Sequence, residues 1–187
     1  MTLTTQVRFA VLVLSFGAPA VAAGQGTDSR VSVLGAFGSL VNTGGNSEAI
    51  SLGFSPSEHV TLLVSAERIH MPTKVTRTDN TYEASRGGTS KFICGEIRFS
   101  PFTFNRVLPY GLGGAGCGTT RANVNDVFPD PVTTEGGAVL FVGGGVRVPI
   151  TEHLSTFADM RFILQVDNSE TGVFLFVPVR GGLAWRF

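Results

Sequence analysis

The stretch TGVFLFVPVRGGLAWRF, Thr171 to Phe187, carries the pattern that decides how the chain folds. From Val173 its odd positions are Val173, Leu175, Val177, Val179, Gly181, Leu183, Trp185 and Phe187, whereas its even positions include Arg180 and Arg186. Alternation with a period of two marks a strand with one apolar and one polar face. A soluble sheet would pack the apolar face inward. The inverse arrangement fits equally well: the apolar face meets lipid and the arginines look into a lumen.

The opposite end of the chain separates the two. Its opening, MTLTTQVRFAVLVLSFGAPAVAAGQG, sets one basic residue, Arg8, before the apolar run Phe9 to Phe16 and then small residues ending at Ala23. That layout predicts a secretory signal peptide over residues 1–23 and an exported domain over residues 24–187. The apolar run is short of the ~20 residues a spanning helix needs, and no later stretch is long and apolar enough. Charged residues make up 15% of the chain, with 14 Lys and Arg against 14 Asp and Glu. A nucleic-acid binder needs a basic excess to neutralise phosphates, so the balance argues against that class. What remains is a core-rich soluble β protein or a transmembrane barrel.

Period-two patterning recurs through the mature chain. It predicts strands over Val31–Val41, Glu48–Phe54, His59–His70, Ser90–Phe99, Tyr110–Thr119, Gly137–Val148, Leu154–Gln165 and the terminal stretch. The polar segments Met71–Gly88 and Thr120–Thr134 lack usable periodicity and read as long loops. Connections after the second and sixth strands are tight. Eight strands of roughly 9 to 11 residues, with short turns at one end and long loops at the other, describe an all-β, eight-stranded antiparallel up-and-down transmembrane β-barrel. An even count puts both mature termini on one side, and the short turns of the barrel pattern mark that side as periplasmic. Phe54, Phe99, Phe102, Phe104, Tyr110, Trp185 and Phe187 gather at that end, where an aromatic girdle is expected.

These features resemble the small outer-membrane β-barrels of the OmpA/OmpX type. The resemblance is carried by Arg180, Gly182, Trp185 and Phe187 at the terminus, by PYGLGGAG from Pro109 and by GGGVRVPITEHLSTFADMRF from Gly143. It spans essentially the whole mature chain. It implies location in the bacterial outer membrane, contact with its lipid and lipopolysaccharide, and a terminal signal (Arg180, Gly182, Trp185, Phe187) read by the barrel-assembly machinery. No periplasmic peptidoglycan-binding domain is expected.

Strand parity places Glu67, Glu96, Arg98, Arg147, Asp159, Arg161, Arg180 and Arg186 on inward faces. Charges in a narrow lumen must pair, because a desolvated unpaired charge is expensive. An eight-stranded barrel is just wide enough for its side chains to fill it, which favours a self-satisfied ionic plug over a narrow porin-like channel. Gly111, Gly113, Gly143 and Gly145 are expected to leave room for the arginines. Gly111, Gly113 and Gly116 spell GxGxxG, but the phosphate-cradling form of that motif needs a helix behind it, and a polar loop follows.

Cys94 and Cys117 fall near one another in a hairpin centred on Asn105, and a disulfide between them is allowed in an exported protein. Two cysteines without further ligands do not make a zinc site, and no metal or cofactor is expected. Lys74, Arg77, Arg86 and Lys91, in or beside the first long loop, are candidate contacts for lipopolysaccharide phosphates. Lipid A modification at the outer rim would need a serine and a histidine in reach of each other. Only His70 lies at that end, with Ser85 and Ser90 as possible partners, and nothing fixes them beside it. The reading is therefore a non-enzymatic outer-membrane barrel with a structural or surface-interaction role; the channel and the lipid A enzyme are the alternatives.

Overall fold

A computed structural model of the protein describes residues 31–78, 81–124, 129–130, 133–166 and 173–187. The expected leader, residues 1–23, lies outside the described residues. The strands are β1 (Val31–Leu40), β2 (Asn46–Phe54), β3 (Val60–Met71), β4 (Lys74–Thr78), β5 (Thr81–Ser85), β6 (Gly88–Phe99), β7 (Leu108–Ala122), β8 (Thr133–Pro149), β9 (Leu154–Val166), β10 (Val173–Phe176) and β11 (Pro178–Arg186).

Every wall pairing is antiparallel. The order runs β1, β2, β3, β6, β7, β8, β9 and then β10 with β11, and β11 returns to β1, so the sheet closes on itself. Closure leaves no edge, which lets a sheet stand in lipid with its backbone donors and acceptors satisfied. The eight-stranded antiparallel barrel expected from the alternation is the fold observed. Strands are joined through residues 55–59, 100–107 and 150–153 at the end where β1 starts and β11 stops, and the two longest connections, 72–87 and 123–132, fall at the opposite end.

The eighth wall strand is broken at Val177 because Pro178 has no N–H to give the ladder. β10 pairs with β9 alone, and Asn42 covers its other side: Nδ2 donates to the Leu175 carbonyl (2.7 Å) and Oδ1 accepts from the Val177 N–H (3.2 Å). A side-chain amide thus stands in for the missing backbone partner.

Two sequence expectations about loops change. Met71–Gly88 is not featureless, because β4 and β5 form a hairpin within it, with Arg77 opposite Tyr82. The local Thr-rich pairing closes over few residues and forms a two-stranded sheet of its own, apart from the wall, so no wall-type periodicity marks it. The second long connection is shorter than expected, because β7 runs on to Ala122 and β8 begins at Thr133 across a register shift between Gly118 and Thr120.

Packing inverts that of a soluble barrel. Leu52, Phe54, Val64, Ile93, Ile97, Leu140, Val142 and Leu183 are exposed on the outside. Inside, Leu40, Ile69, Phe92, Val139, Phe141, Ile163 and Phe176 fill one half of the lumen, and Leu34, Leu63, Phe157 and Ala184 the other. A layer of charge separates these two apolar fillings.

Candidate functional site

Alternation delivers the charged layer. On β3, β6, β9 and β11 the residues flanking Glu67, Glu96, Arg98, Asp159, Arg161 and Arg180 point outward, so these six are buried inside. β3 and β6 are wall neighbours, and β9 and β11 are neighbours on the opposite side of the eight-strand ring. Ion pairs between the two groups therefore cross the lumen.

The crossings are Arg180 Nη1 to Glu67 Oε2 at 2.9 Å and Arg161 Nη1 to Glu96 Oε2 at 2.8 Å. Along each wall, Arg98 Nε meets Glu96 Oε1 at 2.6 Å, and Arg180 meets Asp159 through Nε (2.9 Å) and Nη2 (3.1 Å). Longer contacts tie the layer together: Arg161 Nη2 to Asp159 at 3.4 Å, Arg98 Nη2 to Asp159 at 3.7 Å and Arg161 Nη1 to Glu67 at 3.9 Å. Three carboxylates and three guanidiniums make the layer neutral.

Neighbours finish the solvation that water would otherwise supply. Ser47 Oγ donates to Glu67 Oε1 (2.8 Å), and Tyr110 Oη donates to Asp159 Oδ2 (3.3 Å). The guanidinium of Arg98 lies 4.9 Å from the Tyr110 ring centroid and 5.1 Å from that of Phe157, and Arg161 lies 5.2 Å from that of Phe141. Aromatic faces hold cations in places where a second carboxylate would not fit. Sequence reading passed over Phe141, Phe157 and Ser47, although their inward parity was available.

The other two inward arginines stand apart from this layer. Arg147 and Arg186 line an open mouth of about 190 Å³ at the end of the barrel with the short turns, together with Ser55, Thr61, Glu152 and His153. His153 stacks on Trp185 and its Nδ1 lies 3.1 Å from the Arg186 carbonyl.

Several expectations need correcting. Cys94 and Cys117 are both free. Cys94 pairs with Gly116 and Cys117 with Ile93, so an offset of one residue sends the thiols to opposite faces of the sheet. Tyr110 is inside and does not belong to the outer aromatic ring, whereas Phe54, Phe99, Phe102, Phe104, Trp185 and Phe187 are exposed. The same parity turns Gly111 and Gly113 outward. The glycines that make room inside are Gly114 and Gly116 with Gly143 and Gly145: a Cβ on Gly114 would strike the Phe141 ring, and one on Gly145 would come within 2.8 Å of Asp159 Cβ. The GxGxxG glycines lie within β7 and form no phosphate-binding turn.

At the long-loop end, Lys74 is exposed, and Lys91 projects outward from β6. Arg86 is engaged with backbone carbonyls of Asn123 (2.8 Å) and Asp130. Arg77 sits on β4, its side chain outside the described set. His70 faces outward with Nδ1 3.1 Å from Thr89 Oγ1, while Ser90 points inward, its hydroxyl 2.7 Å from Thr120 Oγ1. Opposite faces of one sheet keep Ser90 and His70 from sharing a proton. Ser85 has no described side chain.

No family model matches the chain, and no curated protein resembles it in sequence. Solved structures do match in fold. Neisserial surface protein A superposes with a TM-score of 0.60 at 16% identity, covering 84% of this chain and 95% of that one. The N-terminal β-barrel domain of Pseudomonas aeruginosa OprF gives 0.54 at 15% identity, over 86% and 99% of the two chains. Ail, the attachment invasion locus protein of Yersinia pestis, gives 0.52 at 14%, again over 86% and 99%. At such identities the likeness is one of fold, and the fold is that of the small outer-membrane β-barrels.

Proposed function

We propose that the protein is an integral outer-membrane barrel with a structural or surface-interaction role, its lumen closed by the ionic layer and its long connections displayed outside the cell. The observation that carries this is the pair of cross-lumen bridges, Arg180 to Glu67 and Arg161 to Glu96. Charges that neutralise one another across the bore, between two apolar fillings, leave ions no continuous wet path. The exposed apolar wall supports residence in lipid, and the placing of the two longest connections, 72–87 and 123–132, at the end away from the chain ends supports the usual orientation, with the chain ends periplasmic and the long loops outward. In that orientation Trp185 and Phe187 stand exposed at the periplasmic rim, and with Gly182 and the buried Arg180 further along β11 they form the proposed assembly signal.

The test is conductance in planar bilayers. Wild-type protein should be silent across voltages and salt concentrations, whereas Arg161→Ala, which opens one bridge, should show salt-dependent openings. A steady wild-type conductance that substitutions at Arg98 or Arg161 alter would establish the channel alternative instead. The lipid A enzyme has one observation in its favour, the approach of His70 to Thr89. That pair carries no carboxylate orienting the imidazole among the described residues, and general-base activation of a hydroxyl relies on such a third group. Expression should leave lipid A mass spectra unchanged; a new species abolished by His70→Ala would reverse the reading.

A further inference from the structure

We infer that the outer wall carries a phosphate-binding face, built from Arg68, Lys91 and Arg121 on adjacent strands, that takes the phosphate groups of outer-leaflet lipid headgroups. The inference rests on the orientation proposed above. It begins with parity: each of the three alternates with a buried neighbour, Ile69, Ser90 and Thr120 respectively, so each points away from the lumen.

Register brings them together. Arg68 on β3 lies directly opposite Lys91 on β6, and Lys91 is the diagonal neighbour of Arg121 on β7, which lies opposite Thr89 of β6. Like charges directly opposed on a sheet face are destabilising, and beside lipid the cost grows. None of the three has an ion-pair partner among the described residues. Glu48 opposes Arg68 on its other side, so the three cations and this one carboxylate together carry a net charge of 3 − 1 = +2. An external anion would relieve this arrangement.

Position in the wall identifies the anion. Going from the Arg68 level toward the periplasmic end, the outward rows are Ile50, Ala66, Ile93 and Cys117, then Leu52, Val64, Gly95 and Ala115, then Phe54, Leu62, Ile97 and Gly113. The descent from Arg68 to Val60, opposite Phe99, covers about 26 Å of strand, or about 20 Å along the membrane normal at a typical tilt of ~40°. That is close to the ~25 Å apolar band of an outer-membrane barrel. The cations therefore sit at its outer edge, at headgroup depth and not in a solvated loop.

The face occupies one sector. At the same end of the barrel the outward residues of β1, β8, β9 and β10 include Phe37, Leu140, Leu164, Val166 and Leu175 and, on β1, the uncharged Ser39. An open cavity of about 140 Å³ lined by Asn46, Glu48, Arg68 and His70 lies on the β2 side of Arg68, away from Lys91 and Arg121 on β6 and β7. Arg68 and Arg121 supply planar forks suited to phosphate oxygens, and Lys91 supplies a point charge between them. Of the loop-end cations expected from sequence to meet phosphates, only Lys91 belongs to this face.

The test uses the full exported chain refolded in zwitterionic detergent and placed in phosphatidylcholine nanodiscs doped with diphosphoryl lipid A or with its dephosphorylated form. Lipid A retained per chain is read by mass spectrometry. Wild type should prefer the diphosphoryl form by about 10-fold or more, and Arg68→Gln/Lys91→Gln/Arg121→Gln should lose that preference. Arg106→Gln, at the opposite end, should keep it. Should the triple variant fail to fold, Lys91→Gln/Arg121→Gln is measured in its place and should lose most of the preference.

Equal retention of both lipids by wild type, or an undiminished preference in a folded variant, overturns the inference. Displacement by millimolar inorganic phosphate would mark a free-phosphate site and overturn the lipid source. Heat-dependent gel mobility separates the two levels of failure: a barrel that shifts on boiling yet binds without preference sinks only this face. A chain that is soluble without detergent and shows no shift sinks the membrane reading and the face with it.

Discussion

Replacing Arg161 with methionine should destabilise the barrel by roughly 3–5 kcal/mol, the cost of breaking a buried ion pair by removing one partner. The guanidinium is 2% exposed and reaches Glu96 at 2.8 Å, Asp159 at 3.4 Å and Glu67 at 3.9 Å. Without it, three carboxylates face two arginines. Glu96 keeps Arg98 at 2.6 Å, and Asp159 keeps Arg180, so no acid is wholly abandoned. One unit of negative charge nevertheless stays buried without compensation. Methionine replaces most of the lost volume, so a cavity adds little.

The assay is urea unfolding in detergent micelles, following loss of the fast-migrating unboiled band. Arg161→Met should move the midpoint down with an unchanged slope. Adding Glu96→Gln removes the charge that Arg161 had balanced, and the double variant should recover about 2 kcal/mol relative to the sum of the single effects. An Arg161→Met protein within ~1 kcal/mol of wild type would refute the argument, as would strict additivity in the double variant, since either means the layer is not electrostatically coupled.

Other outcomes follow from parity and register. Gly114→Leu should cost roughly 1–3 kcal/mol by driving a side chain into the Phe141 ring, whereas Gly111→Leu, where a Cβ meets nothing within 4 Å, should fold normally; equal effects would contradict the assigned faces of β7. Intact-mass measurement after mild oxidation should find Cys94 and Cys117 without an intramolecular bond, and a loss of two hydrogens would show the register to be wrong. Deleting Phe187 should sharply lower the amount of barrel reaching the outer membrane in cells. Refolding in detergent should be nearly unaffected, because Phe187 is exposed and its N–H makes a single bond to the Val31 carbonyl (3.1 Å). Equal loss in both settings would make the residue a stability element and not a signal.

The amino-acid sequence by itself determined the closed eight-stranded wall, because Leu or Val alternating with Arg, Asp or Ser can satisfy only a strand with two different environments. It also determined which way Glu67, Glu96, Arg98, Asp159, Arg161 and Arg180 point, since each, Glu67 beside Arg68 excepted, sits between outward apolar or small residues. It was silent on β7, where YGLGGAGCG offers too few side chains to declare a face; Tyr110, Gly111 and Gly113 were read on the wrong sides for that reason. The one-residue offset of Cys94 from Cys117 and the meeting of Arg68 with Lys91 depend on how neighbouring strands slide past each other. Only the closed tertiary structure decided these, and with them which carboxylate each arginine crosses the lumen to meet. Register is a relation between strands distant in the chain, set by packing on both faces together, whereas alternation is a property of each strand alone.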